Sequence, residues 1–413
     1  MRILFINFTR SSGGGATIAA ERLADGLRKA NHQVSWLVKT AHKTDCQGDY
    51  SILPQRQLDR LLEWPFRHSL TISPTKTQTF SLASHPSLQA VDIIHCHNLH
   101  PSYFNLLALP RLTRCKPVIW TLHDMWSITG HCAFSQDCDR WQGGCGRCPH
   151  LETYPGVKHD FTALEWQLKR RVYDKASLHF ITPSRWLADC VKVSMAGQQP
   201  LSVLPYGLDT KSYYPGDRSA DAAELGLSPN RVTLLLASAS LDDPRKPQGI
   251  LCEAINRAAQ KHPDMLQVLT FGSGDITHRI DKQIPVTALG KLTTDHEKRR
   301  AYNAADLLLF ASRGDNLPLI IQESMACGTP VVANDIGGIG EMVKTGQTGI
   351  TTSRLDSDEF RQAISQFLLL QDHEKEAMRR AARSLAKAQF ELTTHVEHTL
   401  DVYASQKMRH NAN

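Results

Sequence analysis

The sequence predicts an α/β protein built from two doubly wound parallel sheets, and three observations point that way. Short apolar strands alternate with turns and amphipathic helices along the whole chain. The strands fall into two series, parted by a Pro-, Gly- and Asp-rich seam from Pro205-Tyr206-Gly207-Leu208-Asp209 to Pro215-Gly216-Asp217. At 413 residues the chain is long enough for two domains of ordinary size.

The first series places strands at 3–8, 34–39, 91–95, 118–122, 178–182 and 202–204. The second places them at 232–237, 267–271, 286–289, 307–310 and 330–333, with helices between, such as 18–31 and 247–261. A nucleotide ligand is expected in a cleft between two such units, at the carboxyl ends of their strands.

Bulk properties narrow the class. The chain is 41% hydrophobic and 21% charged, with no apolar span of 18 residues, so no transmembrane helix is expected. The apolar run in MRILFINFTRSSGGG is about six residues long, which suits a first buried strand better than a signal peptide. A cytoplasmic protein is therefore expected. A net charge of +6 is mild, and its Lys/Arg groups are dispersed over helical stretches without an aromatic-basic pattern. No nucleic-acid partner is expected. Anionic lipid headgroups could profit from these charges. The segment Arg60-Leu61-Leu62-Glu63-Trp64-Pro65-Phe66-Arg67, apolar with basic edges, suits either docking on a membrane or a partly buried loop or helix.

The chemistry-bearing residues cluster where strands end. Ser11-Ser12-Gly13-Gly14-Gly15-Ala16-Thr17 joins the first strand to a helix. Gly14 and Gly15 there would let backbone N–H groups approach an anion; a plain tight turn is the other reading. A dehydrogenase fingerprint is excluded, because Ile18 occupies the third glycine position and Lys39-Thr40 replaces the ribose-binding acid. His95 and His97 follow one strand and His123 another. His123 is the strongest site candidate of the three; a lone histidine is otherwise a satisfied structural residue.

Directly after His123, Cys132, Cys138, Cys145 and Cys148 crowd into 17 residues. In a cytosolic chain four thiols so close suit a structural tetrahedral zinc, with His131 and His150 as further ligands. Uncoordinated thiols, a disulfide pair and an iron–sulfur cluster remain open. In the second half, Lys246, alone or with Arg245, is placed to meet a diphosphate. Gly272 and Gly274 form a second glycine turn after a strand. Gly314-Asp315-Asn316-Leu317-Pro318 opens the helix that carries Glu323. Free N–H groups at that helix start suit phosphate, and a buried Glu323 suits two ribose hydroxyls.

Asp315 and Glu323 in acid-x7-Glu spacing, Ala326-Cys327-Gly328-Thr329-Pro330, Gly337-Gly338-Ile339-Gly340-Glu341, the Gly14-Gly15 loop and Lys246 together resemble the retaining glycosyltransferases of family 4, of GT-B fold. The resemblance covers nearly the whole chain. Trp120-Thr121-Leu122-His123-Asp124-Met125-Trp126 with the cysteine block is similar to bacterial exopolysaccharide enzymes of colanic-acid type.

The resemblance implies a hexosyl transfer with retention, from a nucleotide-diphosphate sugar to a glycan or polyprenyl-linked acceptor. It implies no catalytic metal, with zinc at most structural, and a cytoplasmic enzyme that can lie peripherally on the inner membrane. By the same resemblance Lys246 binds the diphosphate, Glu323 the ribose, and Gly14 and Gly15 the phosphates or sugar. The backbone of Asn316 and Leu317 touches the donor, and His123 and Asp315 stand at the reacting centre. The implied division is residues 1–205, with a Cys-rich insertion at 130–150 and a returning helix near 388–407, and a donor domain at 206–387. Two departures stand out. Asp315 replaces the usual Glu, and Ser238-Ala239-Ser240 lacks the arginine that usually closes the preceding strand, for which Arg245 could substitute. A nucleotide-sugar epimerase and a non-catalytic metal- or redox-responsive protein are the alternatives.

Overall fold

The computed structural model describes residues 1–10, 14–40, 50–52, 69–73, 75–100 and 103–412. They form two compact units, Met1–Pro205 with Thr393–Asn413, and Tyr206–Leu392. The segments 11–13 and 60–67, singled out above, lie outside the described residues.

The strands of unit 1 are β1 (Arg2–Thr9), β2 (Gln33–Thr40), β3 (Tyr50–Ile52), β4 (Ile93–Cys96), β5 (Val118–Thr121), β6 (Leu178–Thr182) and β7 (Leu201–Val203). They form one parallel sheet ordered β3-β2-β1-β4-β5-β6-β7. Its helices are α1 (Gly15–Lys29), α2 (Gln78–Ser81), α3 (Pro86–Gln89), α4 (Leu109–Cys115), α5 (Thr162–Tyr173) and α6 (Arg185–Lys192). In unit 2, β8 (Val232–Ser240), β9 (Leu266–Ser273), β10 (Val286–Ala288), β11 (Leu307–Phe310), β12 (Val331–Asn334) and β13 (Gly349–Thr352) make a second parallel sheet. Its order is β10-β9-β8-β11-β12-β13. The remaining helices are α7 (Arg218–Glu224), α8 (Gln248–Lys261), α9 (Asp295–Ala304), α10 (Leu319–Ala326), α11 (Ile339–Met342), α12 (Ser357–Leu369), α13 (Asp372–Phe390) and α14 (Leu392–Ala412).

Central strands of a parallel sheet are covered on both faces, so they read as unbroken apolar runs. Ile3, Leu4, Phe5 and Ile6 of β1 are all buried, as are Leu307, Leu308 and Leu309 of β11. The strand order reverses between β1 and β4 in unit 1 and between β8 and β11 in unit 2. Such a switch point splays the two following loops apart and leaves a crevice at the carboxyl ends. Each unit therefore directs two strand ends at one place.

Most predicted strands are shifted by one to three residues at an end. Two edge strands, β3 and β13, were not anticipated, being three or four residues of mixed polarity. Helix α1 begins at Gly15, not at 18, because the Gly14 carbonyl already accepts from the Thr17 and Ile18 N–H groups at 3.0 and 3.2 Å.

Helix α14 belongs to unit 1 from Thr393 onward. Its Tyr403 hydroxyl lies 2.6 Å from His95 Nδ1, Gln406 bonds His179 at 2.9 Å, and Lys407 pairs with Asp92 at 3.1 Å. No described helix is long and apolar enough to cross a membrane.

Candidate active site

In unit 2 the site is built on the ends of β8 and β11. Strand β8 is irregular between Ala237 and Ser240, where its register with β9 shifts. Gly272 of β9 packs there with φ +138°, so close that a Cβ would collide with the Ser238 carbonyl. Gly274 similarly leaves room for the Asp242 carboxylate. Both glycines thus have a backbone reason to be present, independent of any ligand.

The loop after β8 carries Lys246 and is tied to the loop after β11. Arg313 N–H donates to the Arg245 carbonyl at 2.9 Å, and Arg313 Nε to the Pro244 carbonyl at 3.3 Å. Lys246 Nζ forms an ion pair with Asp315, donates to Ser312 Oγ at 3.3 Å, and stands 4.3 Å from the centre of the Phe310 ring. Ser312 is the hub. Its hydroxyl donates to Asp315 Oδ2 at 2.9 Å and accepts from Gly314 N–H at 3.2 Å. Asn334 clamps its backbone, accepting from Ser312 N–H at 2.9 Å and donating to its carbonyl at 2.8 Å. Burial draws the Lys246 ammonium down to about 7, with the Arg245 charge pushing the same way and Asp243 opposing. The direct Asp315 contact favours the charged form, so the two are an ion pair at neutral pH.

Arg245 does not share this cluster. Its guanidinium is half exposed and folds back on Asp243, at 2.8 Å. A short-range partner two residues away has captured it.

Asn316 and Leu317 are buried ahead of α10, whose N-cap is Pro318. Glu323, one and a half turns into α10, is 4% exposed, and Tyr302 OH donates to its Oε2 at 2.9 Å. Tyr302 is itself fully buried, edge-on to Phe271 at 5.5 Å. This tyrosine was not singled out in the sequence, nor were Ser312 and Asn334. Tyr302→Phe is expected to leave the fold intact and raise the donor KM about three- to tenfold, a fraction of the about 1.5–3 kcal/mol of a hydrogen bond to a charged group, because Tyr302 acts only by orienting Glu323. Initial-rate kinetics over a donor series measure it.

In unit 1 the ends of β1, β4 and β5 converge. Gly14 caps α1 with φ −73°, and a Cβ there would meet nothing within 4 Å, so packing does not demand glycine. His95 lies inside β4 and is fully buried, with Nδ1 2.6 Å from Tyr403 OH and Nε2 2.7 Å from Thr121 Oγ1. It is structural. His97 and His123 lie just beyond β4 and β5, with His97 Nδ1 3.2 Å from His123 Nε2. Burial lowers the pKa of both, His123 to about 4 despite the opposing Asp124 charge. Both rings are neutral at pH 7. Asp124 accepts from Trp126 N–H at 2.8 Å and meets His100 Nε2 at 3.2 Å.

The cysteine loop sits on α5. Cys132, Cys138, Cys145 and Cys148 are free thiols, and with His131 they line one small cavity of about 20 Å³. The backbone from Gly144 to Arg147 runs through four successive positive φ values, 147°, 55°, 87° and 48°, two of them at non-glycine residues. Gly130 N–H donates to Cys145 Sγ at 3.2 Å, and His131 Nε2 lies 3.4 Å from Cys148 Sγ. Among the described residues no three His, Cys, Asp or Glu side chains are arranged to hold a metal ion. Beneath the loop Lys169 is fully buried. Its ammonium donates to the Trp126 and Thr129 carbonyls at 2.6 and 3.0 Å and lies 3.9 Å from the centre of the Trp126 ring. Burial pushes the Lys169 pKa down and that of its partner Glu165 up; their mutual attraction opposes both.

Residues 13–212 match the family model described as Glycosyltransferase Family 4, and residues 232–370 the one described as Glycosyl transferases group 1. The chain is 30% identical over 270 residues to the putative colanic acid biosynthesis glycosyl transferase WcaC of Escherichia coli K12, across 61% of this chain and 62% of that one. It is 32% identical over 190 residues to D-inositol 3-phosphate glycosyltransferase of Nocardia farcinica, across 43% of this chain and 42% of that one. These matches thus span less than two thirds of either relative's length. Among solved structures, Anabaena HepE in complex with UDP and glucose superposes with a TM-score of 0.69 at 19% identity, over 98% of this chain and 100% of that one. WaaG, a glycosyltransferase involved in lipopolysaccharide biosynthesis, gives 0.68 at 16% identity, over 97% and 99%. The two family matches together run through both units, and the chain is one of the glycosyltransferase-type proteins of GT-B fold that carry a family 4 domain followed by a group 1 domain.

Proposed function

We propose that this protein moves a hexose, with retention, from a nucleotide-diphosphate sugar to a glycan or polyprenyl-linked acceptor in surface-polysaccharide assembly. One observation carries the proposal above the rest: a largely shielded lysine paired with Asp315 and Ser312 at the β8/β11 switch point, with the buried Glu323 on the helix that follows. The relatives support the class of donor and pathway. HepE was crystallised with UDP-glucose, and WcaC carries a colanic acid assignment.

The donor diphosphate would take Asp315's place on the Lys246 ammonium, trading one carboxylate for a doubly charged group. Glu323, oriented by Tyr302, would accept from two ribose hydroxyls. As the bond to the sugar breaks, charge grows on the leaving phosphate oxygen. Lys246 and the backbone N–H groups at the start of α10 would face that charge and stabilise it as it grows. The departing oxygen then takes the acceptor's proton on the same face of the sugar. His123, neutral, would contact the sugar near the reacting carbon. Arg245 remains assigned to the diphosphate on the condition that a donor draws it off Asp243.

A thermal-shift series with UDP, GDP and ADP, followed by donor turnover with chelator present, tests the proposal. A ligand at about 100 times its Kd adds about 2.7 kcal/mol of apparent stability. One nucleotide should raise Tm clearly, and its sugar should release nucleoside diphosphate without added metal. No shift with any nucleotide would refute the donor assignment. Donor conversion with no acceptor and no nucleotide release would favour an epimerase.

Structural zinc at the four cysteines is a separate proposal, in which the thiols draw in around the ion. Elemental analysis should find about one zinc per chain, and chelation should lower Tm. Zinc-free protein of unchanged stability overturns it. Peripheral docking on the cytoplasmic face of the inner membrane is likewise proposed, since a polyprenyl-linked acceptor resides there.

A further inference from the structure

We propose that His97 is a positioning residue, which holds His123 in one neutral tautomer with its proton on Nδ1. The role of that tautomer in sugar transfer rests on the function proposed above; the tautomer itself does not.

The two rings are brought edge to edge by the sheet. Strands β4 and β5 pair in parallel with Cys96 opposite Trp120, so the residues just past each strand end are neighbours. His97 Nδ1 stands 3.2 Å from His123 Nε2, and the ring centres are 5.4 Å apart with 28° between planes. The His97 ring has little freedom to turn. It packs against Phe5 at 4.8 Å and against His95 at 4.3 Å, and His95 is pinned at both nitrogens. The His97 backbone is fixed on both sides, its N–H donating to the Ile6 carbonyl at 2.9 Å and its carbonyl accepting from Trp120 Nε1 at 2.7 Å.

Two neutral imidazoles meeting nitrogen to nitrogen share one hydrogen, which leaves two arrangements. If His123 Nε2–H donates, His97 carries its own proton on Nε2. That atom is buried with no hydrogen-bond partner, so a buried N–H would be orphaned. If His97 Nδ1–H donates instead, the same atom is a bare lone pair. Orphaned buried N–H groups are rare in folded proteins, and under-satisfied acceptors less so. The second arrangement is therefore favoured. It makes His123 Nε2 an acceptor and places the single His123 proton on Nδ1. His123 then carries a fixed, uncharged N–H, which in the function proposed above would hold a donor-sugar hydroxyl in one orientation while the bond to the leaving phosphate breaks.

The test uses full-length protein labelled with ¹⁵N-histidine, the His123 ring being assigned by difference with His123→Gln. Wild-type protein should show a protonated Nδ1 and a bare Nε2. His97→Asn, whose amide N–H can still reach Nε2, should keep that signature and at least about half of kcat. His97→Leu should give a mixture of tautomers and a kcat lower by about ten- to hundredfold, with donor KM changed less than about threefold. A wild-type proton on Nε2, or an unchanged ring signature in His97→Leu, overturns the proposal. Equal loss of kcat in the Asn and Leu variants also overturns it. The ring signature needs no donor. A correct signature in a protein without transferase activity would sink the function proposed above and leave the tautomer standing. Transfer with the opposite signature would do the reverse.

Discussion

Lys246→Ala should reduce donor turnover by about ten- to a hundredfold while the protein remains folded. The size follows from the surroundings. The ammonium is mostly shielded from water by the Phe310 ring and the Ser312 hub, and a charge-assisted contact in such a site is worth about 1.5–3 kcal/mol. Its effect on the leaving phosphate grows as the bond breaks, so the loss should fall on kcat as well as on donor KM. The substitution frees Asp315 from its ion pair but leaves it the Ser312 hydroxyl, so unfolding should begin within a few degrees of wild type. Steady-state release of nucleoside diphosphate, with a melting curve on the same sample, measures both. A well-folded Lys246→Ala enzyme of near-wild-type activity would remove Lys246 from the site.

Glu323→Ala is expected to be at least as severe, for a different reason. It deletes the carboxylate proposed to accept two ribose hydroxyls and leaves Tyr302 OH buried without its acceptor. Two hydrogen bonds to a charged group amount to about 3–6 kcal/mol at full strength, so a donor KM at least about a hundredfold higher is expected. The orphaned hydroxyl adds about 1–3 kcal/mol of destabilisation, visible in a urea melt. Glu323→Gln separates the two effects. Its carbonyl can still accept from Tyr302, so stability should recover while donor KM stays high. Recovery of donor KM in Glu323→Gln would mean that the charge is not used.

Much of this was legible in the sequence because parallel sheets announce themselves. A strand such as β11 is a bare run of Leu307, Leu308, Leu309 and Phe310, with a turn on either side. Strands β3 and β13 carry no such signal; they exist because a neighbouring strand offers them a free edge. Asp315 and Lys246 were readable because both lie in loops directly after buried strands, and Glu323 because it stands at fixed spacing in the helix that follows Asp315. What could not be read was pairing at a distance. Ser312 gains its importance from Lys246 and Asn334, Tyr302 from Glu323, and His95 from a tyrosine 308 positions later. Arg245 shows the converse. It has the right charge beside the right lysine, but Asp243 is closer than any ligand and takes the guanidinium.

The Tyr403–His95 contact bears on how the protein is made. A ribosome delivers the chain from its first residue, and the strands of unit 1 are complete by Val203. Yet one ring nitrogen at the centre of that sheet has its partner only once residue 403 has emerged, after all of unit 2. Until then the N-terminal sheet carries an uncovered face and a polar atom that water must serve. Unit 2, continuous from Tyr206 to Leu392, has no such wait. The half of the protein that is synthesised first is thus the half that is finished last, and a chain released just before α14 would carry a complete unit 2 and a unit 1 still open to chaperones and proteases.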